Sequence, residues 1–166
     1  MGPMTQREVM KRIEGSSRYA HSVLVGRVMA ILARHLGGDE GEWELVGLLH
    51  DLDYDSVLGD MTQHGVRAAE SLAGKVSDEG LDAIRSHDHR TGFKPWGPLA
   101  ESLRFADTAA VLMGDQGLQG RIDKASLKQA VRMESSQKPW MEELIESFSQ
   151  SYGVQLYAVL NELSGR

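Results

Sequence analysis

Apolar residues along this chain recur every three or four positions and almost never on alternate positions, so the pattern predicts helices and no strand. Thr5 is placed to cap a short amphipathic helix running to about Glu14. Ser17 is placed to cap the next, whose stripe of Val25, Val28, Met29, Leu32 and Leu36 is extended toward its N-terminus by His21. The pair Gly37 and Gly38 ends that helix. Asp39 caps a helix with Trp43, Val46 and Leu49 that closes on His50 and Asp51. After a loop over 52–60, Asp60 or Thr62 starts a helix bearing His64, Ala68, Leu72 and Ala73. Ser77 caps another, with Leu81 and Ile84, that ends near His87. The Gly- and Pro-containing stretch 88–97 reads as a loop, followed by a helix over 98–113 and a connection marked by Gly114, Gly117 and Gly120. A helix over 124–133 precedes the last and longest one, opened by Pro139. Its stripe is Ile145, Phe148, Tyr152, Leu156, Val159 and Leu163, softened at Gly153. No repeat, linker or low-complexity tract interrupts the pattern, so the expectation is one all-α domain over 1–166. Residues 121–166 finish its core or form a dimer contact.

One position breaks the stripe rule. On the 98–113 helix, Leu99, Leu103, Ala106, Ala110 and Met113 mark the inward face, and Asp107 falls on that same face. An ionised carboxylate there must be paired or hold a metal. One pairing is to Arg104, three residues earlier. The other is a shared cation, for which His50 and Asp51, at a helix end, are natural co-ligands.

Composition narrows the chemistry. The chain has 166 residues, a net charge of −6 and no cysteine. Disulfides, thiolate-bound zinc and iron–sulfur centres are thereby excluded, and any metal must use His, Asp or Glu, which suits Mn, Fe, Mg, Co, Ni or Zn. The acidic balance argues against a nucleic-acid surface. No run is apolar enough to span a bilayer, and the first residues carry no apolar signal core or myristoylation pattern, so no membrane partner and a cytoplasmic location are expected. Trp43, Trp96 and Trp140 read as packing residues, because no basic patch accompanies them. The glycines at 114, 117 and 120 lack the strand and the lysine of a phosphate loop.

Five segments taken in order, YAHSVLVGRVMAILA at His21, ELVGLLHDLDYD at His50 and Asp51, QHGVRAAESL at His64, AIRSHDH at His87 and ESLRFADTAAVLM at Asp107, resemble the HD-domain superfamily of metal-dependent phosphohydrolases. The resemblance covers 18–113 and implies an all-α helical bundle around a metal core. It implies His21, His50, Asp51 and Asp107 as the central ligands, with His64 and His87 added where two ions are held and Asp51 shared between them. Each has a simpler reading. His21 suits a core histidine bonded to a carbonyl, His50 and Asp51 suit a helix C-terminus, and His64 and His87 suit surface residues at helix ends. His89 suits a solvated loop and His35 a helix C-terminus. Asp53 and Asp55 read as loop solvation, and Asp53 alternatively as a residue that orients a ligand histidine. The chain lacks the lysine that some members carry after His-Asp-Ile-Gly and the Gly-Tyr-Pro signature of cyclic-dinucleotide phosphodiesterases.

The activity so implied is hydrolysis of a small phosphate ester, with nucleotides among the candidates, and with one or two divalent ions activating water. A cationic clamp for the substrate is expected from Arg67, Arg90, Lys94 and Arg104, and the 88–97 loop is placed to serve as a lid. Two alternatives share the residues: a di-iron oxygenase on the same ligands, and a non-catalytic metabolite sensor.

Overall fold

The computed structural model describes Gly2 and residues 4–165. Among them it has nine α-helices, three short 3-10 turns and no strand. The chain forms two compact units, one ending at Arg104 and one beginning at Phe105.

The first unit opens with α1 (Gln6–Ile13), capped by Thr5, whose hydroxyl bonds the Glu8 amide while Glu8 reaches back to the Thr5 amide. The helices α2 (Tyr19–Leu36) and α3 (Glu40–Leu49) supply its core, with Val25, Val28, Met29, Ile31, Leu32, Val46 and Leu49 all buried. Gly37, at φ 74°, ends α2, and Asp39 caps α3. Ser17 is not the cap of α2. Arg18 takes that position without a capping side-chain bond, and the Ser17 hydroxyl instead donates to Asp55, 38 residues away.

Two glycines set how close α2 and α3 come. A Cβ on Gly47 would lie 2.8 Å from Gly26 Cα and 2.9 Å from its amide nitrogen, and a Cβ on Gly26 would lie 2.9 Å from Leu48 Cγ. Backbone therefore rests on backbone, and this brings the end of α3 against the start of α2. Gly47→Ala is expected to cost about 1–3 kcal/mol by overpacking, because the atoms in the way are main chain and cannot rotate aside. Thermal melting, about 2–4 °C lower per kcal/mol, would register it.

The expected helix through His64 is instead two pieces. A 3-10 turn (Met61–Gln63) capped by Asp60 leads to His64 in extended backbone. Gly65, at φ 92°, then turns into α4 (Val66–Ser71). Next comes α5 (Asp78–Ser86), capped by Ser77 and packed on α3 and α4. The 88–97 segment contains a 3-10 turn (His89–Thr91), and α6 (Gly97–Gln116) begins at its end.

The second unit holds the rest of α6, then α7 (Lys124–Gln137), α8 (Trp140–Tyr152) and α9 (Leu156–Ser164). Phe105 and Phe148 stack with centroids 4.2 Å apart over a core that includes Met141 and Val159. The single long C-terminal helix is corrected to two, because Gly153 adopts φ 69° and caps α8. The longest helix among those described is α6, with 20 residues. Trp43 is buried as expected, whereas Trp96 is 83% exposed and Trp140 46% exposed, so neither is a core residue. No helix of the described chain is long and apolar enough to cross a membrane.

Candidate metal centre

Helix ends build the centre. The last carbonyls of an α-helix have no intrahelical donor, and two histidines exploit this in the same way. His50 at the C-cap of α3 places Nδ1 2.6 Å from the Gly47 carbonyl, and His87 at the C-cap of α5 places Nδ1 2.6 Å from the Ile84 carbonyl. A carbonyl only accepts, so each Nδ1 carries the hydrogen. In its neutral form each ring then presents a bare Nε2 as a ligand atom. His64 is fixed differently: its Nδ1 lies 2.8 Å from Asp53 Oδ1, while Asp53 Oδ2 accepts from the amides of Gly65 and Ala68 at 2.8 and 2.9 Å. Gly65 is needed there, since a Cβ would meet the Ile84 carbonyl at 2.5 Å and His87 Nδ1 at 3.0 Å.

All these Nε2 atoms converge on Asp51, whose side chain is 2% exposed. Its Oδ2 faces His50 Nε2 at 3.3 Å, His21 Nε2 at 3.5 Å and Arg18 Nε at 3.1 Å. Its Oδ1 faces His64 Nε2 at 2.9 Å and His87 Nε2 at 3.4 Å. Thus one carboxylate separates two donor groups, with His21 and His50 on one oxygen and His64 and His87 on the other. Within each group the ligand atoms, Asp51 included, lie within 4.8 Å of one another.

Electrostatics follow from this crowding. Burial alone would raise the Asp51 carboxyl, but where the facing rings are protonated the charge of His50 and hydrogen bonds from His50, His64 and His87 outweigh it and hold the group well below the usual carboxylate range. Burial alone would lower His64; its bonds to Asp51 and Asp53 outweigh that and push it up to about 9. Asp53 is likewise kept ionised against burial by His64 and the two amides. Meanwhile His64 Nε2 and His87 Nε2 stand 3.2 Å apart. Two nitrogens at that distance would repel if both were bare, so a proton or a cation must be held by the pair. A thiolate-free set of imidazole nitrogens around one shared buried carboxylate, with the far nitrogens of His50, His64 and His87 already bonded, is the chemistry of a divalent-metal site, and the residues fit one.

The remaining expected site residues fall as follows. Asp107 lies half-buried on α6, with buried Leu103 and Ala110 one turn to either side, and Arg104 is half-buried on the same helix. Arg67 and Lys94 are exposed. Arg90 gives Nε and Nη2 to the two oxygens of Asp88 at 2.9 and 2.7 Å, so that edge of its guanidinium is already engaged. His35 and His89 are exposed. Asp55 is not merely solvated, since it accepts from the amide and hydroxyl of Ser17. Sequence reasoning missed Arg18; the signal was its position one turn before His21.

A family model described as HD domain matches residues 18–125, well over half of the chain, and the chain belongs to that family. No curated protein matches the sequence.

Proposed function

We propose that this protein is a metal-dependent phosphohydrolase acting on a small phosphate ester. The observation that carries the reading is the division of Asp51, one oxygen to His21 and His50 and the other to His64 and His87. In this reading His21, His50, Asp51 and Asp107 hold one ion, and Asp51, His64 and His87 hold a second. Asp107 joins the set on the order of ligands that the family resemblance implies, as a half-buried carboxylate of α6. Bound divalent ions lower the pKa of water toward neutrality and neutralise charge on phosphoryl oxygens.

The chain's own groups do the rest. Asp51 fixes the spacing of the two halves. The far-side bonds of His50, His64 and His87 aim each Nε2 inward before any ion binds, so little reorganisation opposes binding. Arg18, bonded through Nε to Asp51, brings a permanent positive charge to the same carboxylate. Arg67, Arg90, Lys94 and Arg104 remain the proposed outer contacts for the rest of the substrate. The partner in this reading is a small phosphorylated molecule, and a second copy of the chain is the associate proposed beside it.

The test is metal analysis of protein purified without chelator or added metal, with a phosphate-ester panel assayed across Mn, Fe, Co, Ni and Mg. Retained divalent metal and hydrolysis of at least one ester are expected. Oxygen consumption by an iron-loaded sample with no hydrolysis would favour the oxygenase instead, and no metal with no turnover would favour the sensor. Within the same assay, Asp53→Asn is expected to weaken metal affinity about 10–100-fold, because His64 loses the carboxylate that orients it. Unchanged affinity in that variant would show that Asp53 serves only to cap α4.

A further inference from the structure

Tyr54 is not one of the proposed metal ligands, yet its ring sits among the groups that build the centre. The Arg18 guanidinium carbon lies over the ring, 4.9 Å from its centroid. The His64 ring meets Tyr54 edge-on, at 5.4 Å and 76°. The segment before α2 is stitched onto the 3-10 turn that holds Tyr54 (Tyr54–Ser56). The Ser17 amide donates to Asp55 Oδ2 at 2.9 Å, and the Ser17 hydroxyl donates to Asp55 Oδ1. The Arg18 amide donates to Ser16 Oγ at 3.0 Å. Arg18 is therefore held by its backbone, by its Nε on Asp51 and by the face of Tyr54.

With Nε committed, the two Nη nitrogens remain, and no hydrogen bond to either is seen among the described residues. Paired Nη donors of a guanidinium grip two oxygens of one phosphoryl group. A free arginine side chain would have to be ordered at each binding event, and packing against an aromatic face removes that cost in advance.

Resting on the phosphohydrolase reading, we propose that Tyr54 is a positioning residue that holds the Arg18 fork toward the phosphoryl group of a phosphomonoester. The substrate class follows from counting oxygens. A monoester offers three non-bridging oxygens, enough for a bidentate arginine and a cation together. A diester offers two.

The experiment is calorimetric titration of inorganic phosphate and of dimethyl phosphate into manganese-loaded protein, with metal content measured for every sample. Wild-type protein is expected to bind inorganic phosphate more tightly than dimethyl phosphate. Tyr54→Phe keeps the ring face and is expected to stay within about twofold of wild type. Tyr54→Leu keeps apolar bulk without the face and, like Arg18→Ala, is expected to weaken phosphate binding about tenfold at unchanged manganese content. With p-nitrophenyl phosphate the same loss should appear in KM, with kcat held within about twofold. The proposal is overturned by Tyr54→Leu binding like wild type, by Tyr54→Phe failing as badly as Tyr54→Leu, or by equal affinity for the two phosphates. Failure of the wild-type protein to retain any metal would instead count against the phosphohydrolase reading. The metal-free titration would still decide the role of Tyr54, since equal phosphate affinity in wild type and Tyr54→Leu overturns it there too.

Discussion

Asp51→Asn is expected to empty the centre of metal and reduce hydrolysis to background while leaving the helices folded. The side chain is nearly isosteric, so packing around a residue that is 2% exposed is retained. What is lost is the one charge that both histidine pairs face. Removing an outer residue that merely orients a ligand costs about 10–100-fold in metal affinity, and removing the shared ligand itself must cost more than the upper end of that range. The amide also turns one acceptor oxygen into a donor NH2, which now faces either Nε2 lone pairs or the Arg18 Nε–H, 3.1 Å from Oδ2 in the native protein. Metal content by elemental analysis, circular dichroism and turnover on the best ester of the panel measure the three quantities separately. An Asp51→Asn protein that keeps its metal and its activity would remove the site assignment entirely.

The caps and stripes of the helices were legible because they are local. Thr5, Asp39, Ser77 and the Gly37 stop act within four residues of the elements they bound, and each does so as the sequence implies. What escaped depended on backbone sign or on distance along the chain. The C-terminal stripe runs in phase from Tyr152 to Leu156, so periodicity cannot register the left-handed Gly153 between them. The same holds at His64, where Gly65 at φ 92° breaks a helix that the apolar spacing carries straight through. Ser17 reads as a cap by type, but its hydroxyl goes to Asp55, and no short-range rule sees across 38 residues.

The candidate centre divides along the same line. The resemblance pointed to His21, His50, Asp51, His64 and His87, and the four histidines all face the Asp51 carboxylate. The simpler reading of His50 as a helix C-cap was not a rival after all. Its Nδ1 does cap α3, and that bond is what turns Nε2 toward Asp51. Asp53 shows the converse. Its loop context suggested solvation, yet it is 5% exposed and accepts three hydrogen bonds, so the orienting role prevails.

Chelation is expected to lower the melting temperature sharply, and the size of the drop should depend on pH. The centre ties together the start of α2, the end of α3, the segment before α4 and the end of α5, none of which are neighbours in sequence. An ion present at a thousand times its dissociation constant adds about 4 kcal/mol, or about 8–16 °C for a chain of this size. The pH dependence follows from His64, which rises from 6.5 to about 9 in the metal-free fold. A raised folded value means that protonated His64 contributes its full stabilisation below pH 6.5 and loses it as pH climbs through about 9. Asp51 and Asp53, both held low, stay ionised across that window and add no slope. Chelator-treated protein should therefore melt lower at pH 9 than at pH 6.5. Metal-loaded protein should show the opposite trend relative to the chelated form, because His64 must release its proton before Nε2 can bind an ion, so affinity grows as pH rises. The gap between loaded and chelated melting curves should widen steadily from pH 6.5 to 9. A gap that stays constant, or closes, over that range would mean that His64 binds no ion and that its bonds to Asp51 and Asp53 are purely structural.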